Sequence, residues 1–450
     1  MGLGRSGRAA ARLLLKNGAS VVGTDLKPRE ELIPEVNALE TSGVNLVLGG
    51  NPLAVAKDAD CLIISPGVPE TSDLLREAKR RSIPVIGEIE FAYLFLEDHL
   101  IVAVTGTNGK TTTTAMIGEI FRENGQEVWV GGNIAPGEPL SEIALKARRN
   151  DLIVAEVSTF QLESIERFHP KVGVLTNITP DHLDRHLNFE SYARLKVRLF
   201  ENQTGQDWAV LNADDGNVVS TSKGIRSQKV WFSRKHMPPH GTGLKDDIIT
   251  SNLEGATVNL LRTGELRVRG MHNVENAMAA ATATLIFGIS GEVIRKALLR
   301  FRGVPHRLEE VARIRGVLYI NNSMCTNPIA GARSLEAFGE PVVLIAGGKE
   351  KGVDLNPFYE MIQKRAKAVI LIGENGEKMK KDLAKGGFQA TALAGTMAEA
   401  VRLATSQASS GDVVLLSPGC ASFGQFKDFM DRGEQFKAAI ELWRRTRSDG

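Results

Sequence analysis

The sequence predicts an α/β protein in which helices cover parallel sheets on both faces. The first observation is a recurring module, in which a short β-branched run is followed by a Gly-rich turn and a helical pattern. Near-continuous apolar strands of this kind are typical of parallel sheets. The second observation is the length of 450 residues, which favours about three domains at roughly 150 residues each. Strands are expected at 21–25, 61–67, 101–106, 152–156, 172–177, 342–348, 368–373 and 413–419.

Two breaks in this pattern mark the expected domain boundaries. An aromatic helix at 91–95 leads into the strand that begins at Ile101, and Gly303-Val304-Pro305 follows a pair of helical segments. The polar, alternating stretch 205–270 is expected to add short antiparallel strands to the middle sheet. We therefore expect a Rossmann-like domain, a central P-loop ATPase-type domain and a second Rossmann-like domain, over residues 1–92, 93–302 and 303–450.

The composition excludes several classes of protein. The chain is 42% hydrophobic and 24% charged, and 55 Lys and Arg against 53 Asp and Glu leave a net charge of +2. The chain has no excess of basic residues that would indicate a nucleic-acid partner. Three cysteines cannot form a disulfide framework, which favours a reducing compartment. No apolar run approaches the roughly 18 residues of a membrane helix, and the first residues do not form a signal peptide. We expect a cytoplasmic protein with no membrane partner.

The first candidate site is the glycine turn Gly2-Leu3-Gly4-Arg5-Ser6-Gly7, which opens a helical pattern. Asp25 closes the next strand about 20 residues later, so the pattern fits a Rossmann unit that binds a diphosphate at a helix N-terminus. Taken alone it fits NAD as well as any other nucleotide. The strand that should precede this turn is absent. We therefore expect an additional upstream strand, and an extended chain is expected to be more stable.

The second candidate site is Gly106-Thr107-Asn108-Gly109-Lys110-Thr111, between a strand and a helix. Its Gly-Lys-Thr end is that of a phosphate-binding loop, although Val104 stands where the full pattern has glycine. The loop is expected to bind ATP, with Lys110 on the β- and γ-phosphate oxygens and Thr111 on Mg²⁺.

Acidic and histidine residues end two further strands. Glu156 closes the strand at 152–156, where a second Mg²⁺ ligand is expected. His182 lies just after the strand at 172–177, in a run of two histidines and two aspartates. That run could bind zinc, but no cysteine or third histidine follows at a suitable spacing. A catalytic role for His182 is the favoured interpretation.

The remaining motifs are individually weak. Asn273 and Asn276 open an Ala-rich helix, where they either cap the helix or contact adenine, and the motif does not decide between these. Arg307 could bind phosphate oxygens with both of its terminal nitrogens. Residues 347–351 and 417–423 follow two strands and offer cations and hydroxyls suited to a small carboxylate.

Taken in order, these motifs resemble those of the Mur ligase family over essentially the whole chain. Within that family, residues 156–163 and 416–427 most resemble the members that add D-glutamate. The motifs that carry the resemblance are Gly-Thr-Asn-Gly-Lys-Thr at 106–111, Gly131-Gly132-Asn133, Asn177 with Asp181, His182 and Asp184, His272-Asn273 with Asn276, Pro305-His306-Arg307, and Ser-x-x-Thr-Asn at 323–327.

The resemblance implies a mechanism. ATP phosphorylates the carboxylate of UDP-N-acetylmuramoyl-L-alanine, and the amine of D-glutamate attacks the acyl phosphate to form an amide. The implied catalytic residues are Lys110, Glu156, His182 and Lys196. Of these, Glu156 holds one Mg²⁺ together with Thr111, whereas His182 holds a second Mg²⁺ together with Lys196, which is carbamylated in the family.

The resemblance also implies three binding sets and a monomeric enzyme with small-molecule partners. The set for the UDP substrate is Gly4, Arg5, Ser6, Asp25, Leu26, Lys27, Ser65, Pro66, Gly67, Asn133, Ser158 and Gln161. The set for ATP is Gly106, Thr107, Asn108, Gly109, Lys110, Thr111, Thr112, Asn273, Asn276, Arg307 and Asn322. The set for the incoming amino acid is Thr326, Lys351, Ser422 and Phe429.

Three positions depart from the family pattern. Asn322 and Met324 stand where the family usually has Asp and Lys, and Ala135 replaces a common glycine. These changes leave other interpretations open: a sibling ligase for another amino acid such as L-glutamate, a folylpolyglutamate synthase, or a weakly active paralogue that binds nucleotides. An NAD-dependent dehydrogenase remains only if the first glycine turn is considered in isolation.

Overall fold

The computed structural model describes residues 1–33, 35–50, 53–69, 71–180, 188–253, 255, 257–268, 270–349, 353–422 and 424–445. The chain divides into two units, the first from Met1 to Phe301 and the second from Arg302 to Gly450. Parallel sheets dominate both units, so the predicted α/β class is confirmed. No helix in the described part of the chain is long and apolar enough to cross a membrane.

The N-terminal part of the first unit contains two parallel strand pairs. Its helices are α1 (Arg5–Lys16), α2 (Glu35–Thr41), α3 (Asp73–Arg80) and α4 (Glu88–Tyr93). Its strands are β1 (Val22–Asp25), β2 (Asn45–Leu48), β3 (Leu62–Ile64) and β4 (Val85–Gly87), paired β1 with β2 and β3 with β4. The first three residues connect the pairs, because Gly2 N–H donates to the Thr24 carbonyl at 2.8 Å and the Met1 amine donates to the Ile63 carbonyl at 2.7 Å.

A nine-stranded sheet forms the centre of the first unit. Its strands are β5 (Leu100–Thr105), β6 (Val128–Gly132), β7 (Leu152–Glu156), β8 (Val172–Leu175), β9 (Trp208–Asn212), β10 (Gln228–Ser233), β11 (Gly241–Lys245), β12 (Ile248–Ser251) and β13 (Val258–Arg262), in the order β13-β12-β11-β10-β9-β8-β5-β7-β6. In this spatial order, each pair of neighbouring strands between β11 and β6, including those of β5, is parallel. The prediction of antiparallel strands over 205–270 is therefore correct for β11 to β13, because β12 pairs antiparallel with both β11 and β13. It is wrong for β9 and β10, which pair only in parallel.

Helices cover this central sheet. They are α5 (Lys110–Glu123), α6 (Leu140–Lys146), α7 (Thr159–Leu162), α8 (Phe189–Val197), α9 (Gly216–Thr221), α10 (Met271–Leu285) and α11 (Gly291–Arg300). Strands β7 and β8 are buried along their whole length, as expected for parallel strands packed on both faces. The Ala-rich α10 is buried from Ala277 to Leu285, and its small side chains let it pack closely against α5.

The second unit is a six-stranded sheet between helices. Its strands are β14 (Glu309–Ile314), β15 (Val317–Asn321), β16 (Val342–Gly347), β17 (Ala366–Ile372), β18 (Thr391–Leu393) and β19 (Val413–Leu416), in the order β14-β15-β19-β16-β17-β18. All pairs are parallel except that of β14 with β15. The helices are α12 (Pro328–Glu336), α13 (Asn356–Arg365), α14 (Gly376–Lys385), α15 (Met397–Gln407) and α16 (Phe429–Arg445).

Candidate active site

Several residues of the predicted sites and motifs in the first unit lie at one edge of the central sheet. The loop 106–109 follows β5, Asn133 follows β6, Glu156 ends β7 and Asn177 follows β8. These strands are neighbours and parallel, so their carboxyl ends meet at the same edge. Ligands of open α/β sheets bind at this edge.

Two glycines of the phosphate-binding loop are required by their surroundings. Gly106 has φ +148°, and a Cβ there would lie 1.9 Å from Thr176 Oγ1. Gly109 has φ +83°, and a Cβ there would lie 2.3 Å from Asn276 Oδ1. A side chain at either position would be strained and would collide with a neighbour. The two glycines therefore allow the loop backbone to pack directly against Thr176 and Asn276.

Two lysines converge on this loop. Lys110 Nζ donates to the carbonyl oxygens of Gly106 at 3.0 Å and Thr107 at 2.9 Å. Lys196, only 2% exposed, donates to the same Gly106 carbonyl at 2.7 Å and lies 4.5 Å from the centre of the Tyr192 ring. Two ammonium groups at one carbonyl oxygen repel each other, and an anion bound beside them relieves that repulsion.

Side chains after β8 hold the loop in place. Asn108 N–H donates to Asn177 Oδ1 at 2.9 Å, and Asn177 Nδ2 donates to the Asn108 carbonyl at 3.0 Å. The Thr107 hydroxyl lies 3.1 Å from both the Thr179 carbonyl and the Tyr192 hydroxyl. These contacts preorganise a loop whose backbone would otherwise pay entropy on binding phosphate. The sequence predicts no site role for Tyr192, although it lies in the segment that carries Lys196.

Glu156 has an oxygen suited to a cation. Its side chain is 2% exposed, and Oε1 accepts a hydrogen bond from Asn133 Nδ2 at 2.9 Å. Oε2 is buried, with no hydrogen-bond partner among the described residues. A buried carboxylate oxygen without a partner is costly unless a cation binds it. Thr111, also buried, is the second residue of α5, so the residues present fit the Mg²⁺ that the sequence predicts at this edge.

The asparagines of α10 are not caps. The N-cap position is Gly270, and Asn273 and Asn276 lie inside the helix. Asn276 accepts a hydrogen bond from Thr113 at 3.3 Å and donates to Asn273 Oδ1 at 3.0 Å. Asn276 therefore connects α10 to α5, the helix that follows the phosphate-binding loop, and Thr112 lies in the first turn of that same helix.

A cavity of about 840 Å³ lies against the glycine turn at the start of α1. Gly4 is the N-cap of α1 and provides no side chain to cap the helix, so backbone N–H groups at this helix terminus are available to an anion. Ten of the twelve residues predicted for the UDP substrate line the cavity: Gly4, Arg5, Ser6, Asp25, Leu26, Ser65, Pro66, Gly67, Asn133 and Gln161.

The other two residues of that set have local structural roles. Ser158 caps α7 and exchanges hydrogen bonds with Gln161, so it positions a residue that lines the cavity. Lys27 donates its backbone N–H to Asp25 Oδ1 at 2.9 Å, and its ammonium lies 3.9 Å from Glu31. Asp25 also accepts from Leu3 N–H at 2.6 Å, so its carboxylate fixes the glycine turn. Sequence reasoning missed the cavity wall formed by residues 71–76, which carries no known motif.

In the second unit, the predicted residues gather near the carboxyl ends of β15 and β19. Asn322 is 7% exposed, and its side chain accepts from Leu308 N–H at 3.2 Å and donates to Ser417 Oγ at 3.1 Å. Thr326 lines a small cavity together with Lys349, Asn375, Gly419 and Cys420. Lys349 was not predicted as a site residue, although the sequence analysis singled out its segment.

The start of α16 closes this region of the second unit. The Phe429 carbonyl accepts a hydrogen bond from the Ser323 hydroxyl at 2.7 Å, and the Phe429 ring packs edge-on against His306. His306 precedes Arg307, in a turn after Val304. Ser422 follows β19 and is 4% exposed.

Two predicted site residues, His182 and Lys351, lie outside the described residues, as do Asp181 and Asp184. Within the described ranges, no group of three or more His, Cys, Asp and Glu residues could hold a metal ion. The zinc alternative for residues 179–186 therefore stays untested.

Comparison with known proteins identifies the architecture. Residues 1–87 match the MurD-like N-terminal domain of Mur ligases, residues 104–284 the Mur ligase middle domain and residues 306–420 the glutamate ligase domain of Mur ligases. Among solved structures, UDP-N-acetylmuramate-alanine ligase MurC from Thermotoga maritima has a TM-score of 0.59 at 20% identity, over 99% of this chain and 98% of that one. A pseudomurein peptide ligase type C from Methanothermus fervidus has a TM-score of 0.54 at 21% identity, over 98% of both chains.

Curated relatives are much closer in sequence. The UDP-N-acetylmuramoylalanine–D-glutamate ligase of Pelotomaculum thermopropionicum is 46% identical over 440 residues, 98% of this chain and 96% of that protein. The ligase of the same name from Koribacter versatilis is 42% identical over the same shares of the two chains. With identity at this level along nearly the whole length, the chain belongs to the Mur ligase family.

Proposed function

We propose that this protein is an ATP-dependent amide ligase of peptidoglycan precursor synthesis, which joins D-glutamate to UDP-N-acetylmuramoyl-L-alanine. The observation that carries the proposal is the position of Asn133. It lines the 840 Å³ cavity and also donates to Glu156 at the phosphate-binding edge. A substrate held in the cavity can therefore extend its carboxylate towards the phosphoryl donor. The names of the curated relatives support the same reaction.

The reaction proceeds in two steps. The γ-phosphoryl group of ATP passes to an oxygen of the alanine carboxylate, so the bond to ADP breaks and an acyl phosphate forms. The amine of D-glutamate then attacks the acyl carbon, phosphate leaves with the bonding electron pair, and the nitrogen loses a proton to give the amide. Lys110, which contacts the loop carbonyls of Gly106 and Thr107, would neutralise charge on the transferring phosphoryl group. Lys196 lies beside it.

We assign one Mg²⁺ to Thr111 and Glu156, on the basis of the unpartnered Glu156 oxygen. A bound Mg²⁺ would lower the negative charge on the phosphoryl oxygens. We assign a second Mg²⁺ to His182 and to Lys196 as its carbamate. An unmodified ammonium group at Lys196 would repel a metal ion, whereas carbamylation would supply carboxylate-like oxygens. Mass spectrometry after trapping the carbamate would test this modification directly.

The roles of the three sequence segments follow from this reaction. Residues 1–92 would hold the UDP substrate, residues 93–302 would bind ATP, and residues 303–450 would bring the amino acid through Thr326, Lys351, Ser422 and Phe429. Asn273, Asn276, Arg307 and Asn322 would contact ATP. A monomeric state and a cytoplasmic location complete the proposal, and sedimentation of the purified protein would test the first of these.

Measurement of ADP release tests the function. Release should require both UDP-N-acetylmuramoyl-L-alanine and D-glutamate, and release with either substrate alone would contradict the proposal. L-glutamate and other amino acids belong in the same assay, because Met324 lacks the cation that the family usually carries there. A preference for another amino acid would identify a sibling ligase. Binding of UDP substrate and ATP without turnover would identify a regulatory paralogue.

A further inference from the structure

Residues 71–76 form one wall of the 840 Å³ cavity in which the UDP substrate is proposed to bind, and this wall carries an arginine. Helix α3 begins at Asp73, and Thr71, Ser72, Asp73, Leu74 and Arg76 all line the cavity. The glycine turn and the start of α1 line the same cavity. Arg76 therefore faces the same space as the residues that the sequence predicts for the diphosphate.

The charges of this cavity balance before any ligand binds. The charged side chains among its described lining residues are Arg5 and Arg76, and Asp25 and Asp73. Asp25 is engaged with the backbone N–H groups of Leu3 and Lys27. Asp73 forms an ion pair with Arg76, three residues later on α3. A diphosphate that carries two negative charges therefore meets side chains whose charges already balance, and Arg76 becomes available to it by leaving Asp73.

That exchange costs little. The Arg76 side chain is 68% exposed and that of Asp73 is 76% exposed. Exposed ion pairs on a helix surface contribute little to stability, because water screens both charges. A guanidinium group can instead form two parallel hydrogen bonds to phosphate oxygens. The phosphate group offers more charge and better geometry than the carboxylate that it replaces.

We propose that Arg76 is a binding residue for the diphosphate of the UDP substrate, and that Asp73 holds it in place until the substrate enters. This inference rests on the proposed function, because it names a further contact of the same substrate. It adds a cation from α3 to a site that the sequence motifs assign to the glycine turn alone. Arg76 would bind substrate in the ground state and would not take part in bond formation.

Calorimetric binding of UDP-N-acetylmuramoyl-L-alanine, UDP and uridine to the full-length protein tests the inference. Arg76→Gln should weaken binding of the two diphosphates about tenfold, as expected for loss of a charged hydrogen bond, and should leave uridine binding unchanged. In turnover, the KM for the UDP substrate should rise while kcat and the KM values for ATP and D-glutamate stay within about twofold.

Arg80→Gln is the matched control. Arg80 lies on the same helix, is 69% exposed and pairs with Glu77 three residues earlier, but it does not line the cavity. It should match Arg76→Gln in thermal stability and should bind all three ligands like the wild type. Asp73→Asn should bind diphosphates at least as tightly as the wild type, because it releases Arg76.

The outcomes separate the inference from the proposed function. Wild-type protein that fails to bind the UDP substrate would overturn both. Wild-type binding with unchanged affinity in Arg76→Gln would overturn the inference alone, as would equal losses for uridine and UDP. Weakened diphosphate binding in Asp73→Asn, equal to that of Arg76→Gln, would show that the pair acts only by stabilising α3.

Discussion

Lys110 and Lys196 donate to one carbonyl oxygen, that of Gly106, at 3.0 and 2.7 Å. They reach it from different elements, since Lys110 begins α5 and Lys196 lies near the end of α8. This shared acceptor brings two lysine side-chain nitrogens to the edge where phosphate is expected. Neither the distance nor the sharing follows from the separation of the two lysines in sequence.

Replacement of Lys196 tests whether this pair serves chemistry. Lys196→Gln should lower kcat at least about 100-fold, a loss comparable to removal of one preorganised electrostatic group. Steady-state turnover and a thermal melt would be measured together. Lys245→Gln, at an exposed lysine of the same unit, is the control and should retain wild-type turnover. A Lys196→Gln variant that turns over normally would remove Lys196 from the catalytic set.

Glu156→Gln separates a metal ligand from a structural carboxylate. The neutral side chain can still accept the hydrogen bond from Asn133, but it offers no charge to a cation. We expect the Mg²⁺ concentration for half-maximal activity to rise at least about tenfold. The melting temperature without Mg²⁺ should stay constant or rise, since a buried unpartnered charge has been removed. A lower melting temperature and unchanged Mg²⁺ dependence would contradict the assignment.

We predict that Glu90 stabilises the folded state. Its buried carboxylate accepts hydrogen bonds from the backbone N–H groups of Glu166, Arg167 and Phe168, at 2.8 to 3.0 Å. Glu90→Ala leaves three donors without this acceptor and should cost at least about 3 kcal/mol of unfolding free energy. Denaturant unfolding measures the loss. Glu97→Ala, which removes only a surface ion pair to Arg167, should cost less than about 1 kcal/mol.

Acid stability depends on Asp207. Burial raises the pKa of this carboxyl, but hydrogen bonds from Thr204, His169 and Lys171 outweigh it and bring the pKa to about 2, below the ordinary value of 3.8. A depressed pKa in the folded state contributes stability above pH 4, and that contribution disappears as the pH falls towards 2. Asp207→Asn should therefore flatten the pH dependence of unfolding between pH 4 and 2. The exposed Asp98→Asn should keep the wild-type slope.

Arg432 is expected to hold in place the region of the second unit where the amino acid is proposed to bind. It is fully buried, it donates to the Ser323 hydroxyl and carbonyl and to the Cys420 carbonyl, and burial lowers its pKa to about 10. Among the described residues it has no carboxylate partner. Arg432→Lys cannot make these three hydrogen bonds together. It should raise the KM for D-glutamate several-fold and leave the KM for the UDP substrate unchanged. Equal changes in both constants would contradict this prediction.

The amino-acid sequence predicts the strands that end at the candidate site and the motifs that follow them. The strands that precede the phosphate-binding loop, Glu156 and Asn177 were predicted because parallel strands buried on both faces require continuous apolar runs. The glycines at 106 and 109 were predicted because the backbone must approach a phosphate closely. Those requirements are local, so they can be recognised in a short segment of the sequence.

The contacts between side chains could not be predicted, because they depend on the packing of distant segments. The tertiary structure placed Asn276 on Thr113 where the motif allowed a helix cap, and it tied Asn322 to Leu308 and Ser417. It also brought Arg76 to the wall of the 840 Å³ cavity, although no motif includes that residue. The physical reason is that sheet order and helix packing set these distances, and both depend on contacts between segments that are far apart in the chain.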